Sequence, residues 1–243
     1  MLRAFWKISF LKIDDEENKA LKDIILKRNE NFLSDNADNT DIFFSFDSTY
    51  HNNIKNKLNK NYILDTKKIL YYSSNKNIIY HEMAIEAAVI CQISNKVKNT
   101  IDILDCCDYI SHQVIASPFK PIDYMDKMDI FGYKYIPNFY GTISKYLVIE
   151  LKKGAAKIQD IEQTLKYVDW INQQYSFGDY SMINAFLIAN EFDKSIIEEK
   201  NKLAKRNFIT KSHPITSSIW TNLKLIKYTF NRETKLLELK CIS

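Results

Sequence analysis

In YHEMAIEAAVICQISNKV (80–97) apolar residues recur at helical spacing through Ile85, Val89 and Ile93, which predicts a mostly buried helix. Two runs rich in β-branched and aromatic residues follow, KMDIFGYKYIP (127–137) and KYLVIELKK (145–153). They are joined by NFYGTIS, with a glycine placed for the turn, so the pair reads as a hairpin. AKIQDIEQTLKYVDWINQQ (156–174) then sets Ile158, Ile161, Leu165 and Val168 at steps of three and four, the pattern of an amphipathic helix. INAFLIANEF (183–192) reads as a buried strand, the charged 193–206 as a helix, and LKLIKYTFNRETKLLELKCI (223–242) as a closing hairpin around Asn231–Thr234.

The first third is less patterned. LRAFWKISFLKI (2–13) predicts a strand and 15–33 a helix, while HNNIKNKLNKN (51–61) is a polar, Asn/Lys-rich stretch. The change in pattern near residue 78 divides the chain into an N-terminal region, 1–77, and a domain, 78–243. Alternating strands and helices predict an α/β (α+β) fold with a mixed sheet between helices and an N-terminal α/β appendage.

Composition adds limits. A chain of 243 residues that is 46% hydrophobic can bury a full core. No apolar run reaches the roughly 18 residues that cross a bilayer, and the opening residues lack a leader pattern, so a soluble, unexported protein without a membrane partner is expected. Cys91, Cys106, Cys107 and Cys241 form neither a C-x-x-C pair nor a disulfide framework, which suits a reducing cytoplasm. Cys106, Cys107 and His112 lie close in sequence, but adjacent cysteines suit tetrahedral zinc poorly, and buried thiols are the expectation. The net charge of +4 is unevenly spread: residues 201–243 hold nine Lys/Arg, Lys224 and Lys227 among them, against Glu233 and Glu238. That local +7 leaves the other 200 residues at −3, so the basic charge gathers at one end, where it can follow a phosphate backbone.

Hydrolysis of phosphodiesters is served by paired carboxylates, because a hard divalent cation takes oxygen ligands, acidifies a bound water and neutralises charge on the phosphate. A nearby lysine can orient that water or stabilise the transition state. An acid-x-Lys pair on a strand meets this need, since alternation sends both side chains to one face. Roughly four such pairs are expected by chance at this composition, and several occur, among them Asp65–Lys67, Glu150–Lys152, Glu233–Lys235 and Glu238–Lys240. Of these, Glu150–Lys152 ends an apolar strand, with the acid-bearing strand of Asp129 before it and an amphipathic helix after it.

The run MDIFGY…GTISKYLVIELKKGAAKIQDIEQTLKYVDWI resembles the core of PD-(D/E)XK nucleases, especially NucS-type mismatch endonucleases. Those enzymes pair an Asp-hydrophobic strand with a Glu-x-Lys strand and follow it with a helix bearing Gln-x-x-x-Tyr. The matching residues are Asp129, Glu150, Lys152, Gln163 and Tyr167. Glu82, followed by Ile85, best fits the family's preceding helix glutamate, and Glu86 is the alternative. The likeness covers roughly 80–192; Met128 stands where Pro is common, and the loop between Asp129 and Glu150 is long.

The resemblance implies a restriction-endonuclease-like core and a Mg²⁺- or Mn²⁺-dependent endonuclease acting on DNA, in restriction, repair or antiphage defence. By it Asp129, Glu150 and the backbone carbonyl of Leu151 hold the metal, Lys152 acts on the attacking water, and Glu82 assists the metal or its waters. Gln163 and Tyr167 hold a phosphate or Lys152 itself. A homodimer is compatible with it. The rival expectation is a nucleic-acid-binding or partner protein that keeps this fold without cutting.

Overall fold

The structure, a computed structural model, describes residues 15–28, 65–117 and 126–243. The chain divides into two units, Met1–Leu64 and Asp65–Ser243. In the first, helix α1 (Asp15–Arg28) falls within the helix expected over 15–33. The strand expected over 2–13 and the polar stretch 51–61 lie outside the described residues.

The second unit opens with helix α2 (Thr66–Tyr72), N-capped by Asp65, whose carboxylate accepts from the backbone N–H groups of Lys67 and Lys68. A small ribbon of β1 (Ser74–Asn75) and β2 (Ile78–Ile79) leads to α3 (Glu82–Ser94) and α4 (Lys98–Leu104). Then come β3 (Tyr109–Ile115), β4 (Lys127–Ile136), β5 (Phe139–Ala155), α5 (Ile158–Gln174) and β6 (Ile183–Glu191). Helix α6 (Lys194–Leu203) and a separate hairpin of β7 (Arg206–Ser212) and β8 (Ile215–Trp220) precede β9 (Leu223–Asn231) and β10 (Leu236–Cys241).

Among the described residues, six strands form one sheet in the order β10-β9-β6-β5-β4-β3. The β5–β6 and β6–β9 pairs are parallel and the others antiparallel, so the sheet is mixed, with helices on its faces as the α/β reading expects. From Tyr146 to Leu151 every residue of β5 is buried, which requires cover on both sides. On one side Ile85, Val89 and Ile93 of α3 cluster with Ile149, Leu151 and Ile188; on the other Ile161, Leu165 and Val168 of α5 cluster with Val148, Ala185 and Leu187. Each fully buried aliphatic side chain contributes about 1.5–3 kcal/mol, so these layers fix the register that places the polar residues between them.

The β4–β5 hairpin turns at Pro137–Asn138, with Asn138 at φ +67°, rather than at Gly141; most of NFYGTIS is already part of β5. Strand β3, α4 and the β7–β8 hairpin are additions to the expected elements. At Gly132 of β4 a Cβ would stand 2.8 Å from the Tyr109 carbonyl oxygen, so the close approach of β3 requires glycine. At the other edge, Gln92 and Asn99 each use their amide to bond both the N–H and the C=O of one β10 residue, Leu237 and Leu239 respectively. Those side chains take the place of a further strand and blunt the edge. Among the described residues, no helix is long and apolar enough to cross a membrane.

Candidate active site

Strand β5 carries Glu150 and Lys152 on the face that packs against α5, two residues apart as strand alternation dictates. The antiparallel register of β4 and β5 runs to Ile130 opposite Ile149, and one step further brings Asp129 opposite Glu150. There the ladder gives way to a side chain: the Leu151 N–H donates to Asp129 Oδ2 at 2.9 Å. Glu150 is 2% exposed, and its Oε1 accepts from Lys152 Nζ at 2.6 Å. Its Oε2 is buried and meets no hydrogen-bond partner. A buried carboxylate oxygen left unpaired costs about 1–3 kcal/mol or more, so packing alone does not account for it.

Burial, reinforced by Asp129, pushes the Glu150 carboxyl up to about 8, even though the Lys152 ammonium works in the opposite sense. Burial likewise raises Asp129, more than the Leu151 N–H, Lys152 and Gln113 lower it. Burial opposes the charge of Lys152, but Glu150, Asp160 and Asp129 outweigh it and hold its ammonium above the usual lysine range. Asp160 stands 3.8 Å from Lys152 Nζ while its other oxygen accepts the Lys157 N–H at the start of α5.

Helix α3 supplies two acids. Glu82, in its first turn, accepts from the Lys153 N–H at 3.3 Å, one residue beyond Lys152. Glu86, one turn later, is buried; its Oε1 lies 2.8 Å from His112 Nδ1 and its Oε2 accepts from Gln113 Nε2 at 3.2 Å. The same Gln113 nitrogen donates to Asp129 Oδ1 at 3.0 Å. On α5, Gln163 Nε2 donates to the Tyr167 hydroxyl at 2.7 Å, and that hydroxyl donates to the Lys127 carbonyl at 2.9 Å. Tyr167 is fully buried and anchors the start of β4, two residues before Asp129.

The six side chains singled out in the sequence therefore gather about one end of β4 and β5, joined by Glu86, His112, Gln113 and Asp160. An acid three residues into a helix is an ordinary capping residue, so Asp160 carried no distinguishing signal. Gln113 lies on a strand that the hydrophobic pattern does not mark. The three other acid-x-Lys pairs named above do different work: Asp65 caps α2, Glu233 lies in the β9–β10 turn, and Glu238 and Lys240 are exposed on β10.

The donor set fits a hard divalent cation at Asp129 and Glu150, where two anionic groups crowd together and one buried oxygen is unbound. Among the described residues, no three or more His, Cys, Asp or Glu side chains form a ready-made metal cage. Mg²⁺ is commonly held by one or two carboxylates and keeps several waters, so two suffice. All four cysteines are free.

No protein-family model and no curated protein sequence matches the chain. Among solved structures, a repair endonuclease from Pyrococcus abyssi is similar at 17% identity and a TM-score of 0.30. The match covers 47% of this chain and 43% of that protein, so the chain spans less than half of its length. It is a partial likeness of fold.

Proposed function

We propose that this chain is a metal-dependent nuclease that hydrolyses phosphodiester bonds in DNA. The observation that carries the reading is the unpartnered, buried Oε2 of Glu150, on a carboxyl group that the charge of neighbouring Asp129 helps to raise. Two neighbouring carboxyl groups, both raised by burial and Glu150 also by Asp129, are stabilised by a cation. Asp129, Glu150 and the Leu151 carbonyl would hold Mg²⁺ or Mn²⁺, which supplies an acidified water and neutralises charge on the phosphate. Lys152 keeps its proton among three carboxylates, so it acts as a donor to the attacking water or to the charge growing on phosphorus, not as a base. Glu82, beside Lys153, is near enough to the end of β5 to accept from a water at the site. Gln163 and Tyr167 hold the start of β4 and with it Asp129.

Plasmid, mismatch-bearing duplex and single-stranded DNA, incubated side by side with the full chain, test this reading. Cutting is expected with Mg²⁺ or Mn²⁺ and is expected to stop with chelator and in Glu150→Gln. Cutting that persists undiminished in excess EDTA, or absence of cutting on all three DNAs, overturns it.

A further inference from the structure

Gln113 lies in β3 between two residues that pair with β4. His112 lies opposite Ile130 and Val114 opposite Met128, which sets Gln113 opposite Asp129. Its backbone is at φ +52°, a left-handed conformation that a non-glycine residue in mid-strand adopts only when its surroundings impose it. What the distortion achieves is visible in the side chain. Both hydrogens of the amide are committed, one to Glu86 Oε2 at 3.2 Å and one to Asp129 Oδ1 at 3.0 Å. The nitrogen is assigned to these contacts because ionised carboxylates can only accept.

We propose that Gln113 is a positioning residue that orients Asp129 toward the metal and keeps Glu86 out of the coordination sphere. This rests on the metal-dependent reading above. Glu86 has both oxygens spent, Oε1 on His112 and Oε2 on Gln113, and is well placed to fix the amide rather than to take a cation. Asp129 is held from two directions, by Gln113 at Oδ1 and by the Leu151 N–H at Oδ2. That leaves the carboxylate one orientation, with the remaining lone pairs turned to the site it shares with Glu150. The chain His112–Glu86–Gln113–Asp129 thus links helix α3 and strand β3 to the metal face. Of the two glutamates on α3, Glu82 is the one with an oxygen near the end of β5, and Glu86 acts through Gln113.

The test separates the amide from the backbone. Gln113→Gly and Gln113→Ala both remove the amide, but glycine accepts the left-handed backbone and alanine does not. Mn²⁺ affinity, measured by calorimetry on the metal-free protein, is expected to fall by about 10–100-fold in both, the usual scale for an outer partner of a metal ligand. The glycine variant should melt at a higher temperature than the alanine variant. Affinity that recovers in step with the melting temperature would reduce Gln113 to a structural residue and overturn the proposal. Glu86→Gln keeps an acceptor for Gln113 and is expected to bind Mn²⁺ within about threefold of the parent. A loss as large as that of Asp129→Asn would make Glu86 a ligand, again overturning it. A parent protein that binds no Mn²⁺ would instead remove the metal reading itself, and this assignment with it.

Discussion

Asp129 Oδ2 accepts the Leu151 N–H at 2.9 Å, so a side chain of β4 satisfies a backbone group of β5 at the point where the two strands separate. The acid is thereby tied to the residue between Glu150 and Lys152. Asparagine can keep that bond through its carbonyl oxygen while giving up the charge, but its amide nitrogen then faces Gln113 Nε2 and that second bond is lost. Asp129→Asn is therefore expected to fold and melt cooperatively near the parental temperature in the metal-free state, since the relieved repulsion with Glu150 offsets the lost Gln113 bond. Its Mn²⁺ binding, read by calorimetry, should be lost together with DNA cleavage. A cooperative melt that disappears would show Asp129 to be structural.

Lys152 distinguishes a chemical role from an ion pair. Its ammonium is held charged by Glu150 and Asp160, and the 2.6 Å contact with Glu150 is to a group already constrained by burial. Lys152→Ala should bind DNA about as tightly as the parent yet cleave it at least roughly a hundredfold more slowly under single-turnover conditions, the scale for losing one transition-state donor. A parental rate would return Glu150–Lys152 to the chance pairs.

Much of this site could be read from the order of residues because strands and helices repeat. Alternation along KYLVIELKK places Glu150 and Lys152 on one face, and four-residue spacing on α5 places Gln163 beside Tyr167. What escaped depends on non-local geometry. Gln113 acts through a left-handed kink, and a strand whose polar residues face a helix carboxylate lacks the apolar alternation that marks a strand. Asp160 reaches Lys152 only because α5 starts where β5 ends. The choice between Glu82 and Glu86 is likewise set by the crossing of α3 over β3, which spacing does not encode. The turn at Asn138 was masked by Gly141, a stronger turn residue that here sits within β5 at φ +92°.

The basic C-terminal segment divides by face. Lys152, Ala189, Lys227 and Lys240 occupy one row across the sheet, on the face of the site. Lys224 is on the opposite face, its ammonium 5.7 Å over the Phe186 ring. If DNA runs along the site face, Lys227→Glu with Lys240→Glu should weaken binding and flatten its salt dependence by about one unit of log–log slope per lost phosphate contact, while Lys224→Glu should leave the slope unchanged. Equal effects from the two faces would show that the cluster acts only through net charge.

The raised carboxyl of Glu150 links stability to pH in a definite direction. Unfolded, the group titrates near 4.5; folded without metal, burial and Asp129 carry it to about 8. Below the lower value it is protonated in both states and its contribution is fully present. Between the two the folded protein holds a proton that the unfolded chain has released, so stability falls as pH rises toward the folded value. Asp129 and Glu86, also raised chiefly by burial, add to the same slope. The metal-free protein should therefore lose melting temperature from about pH 5 to pH 8, with a free-energy change on the order of a few kcal/mol. Glu150→Gln should flatten that slope, because the amide has no proton to lose. Mg²⁺ or Mn²⁺ should raise the melting temperature most at the alkaline end, where the cation replaces the missing proton, and least near pH 5, where it competes with it. A melting temperature in EDTA that is level or rising over this range would mean that Glu150 is ionised without a cation, and the argument from its unpartnered oxygen would fall.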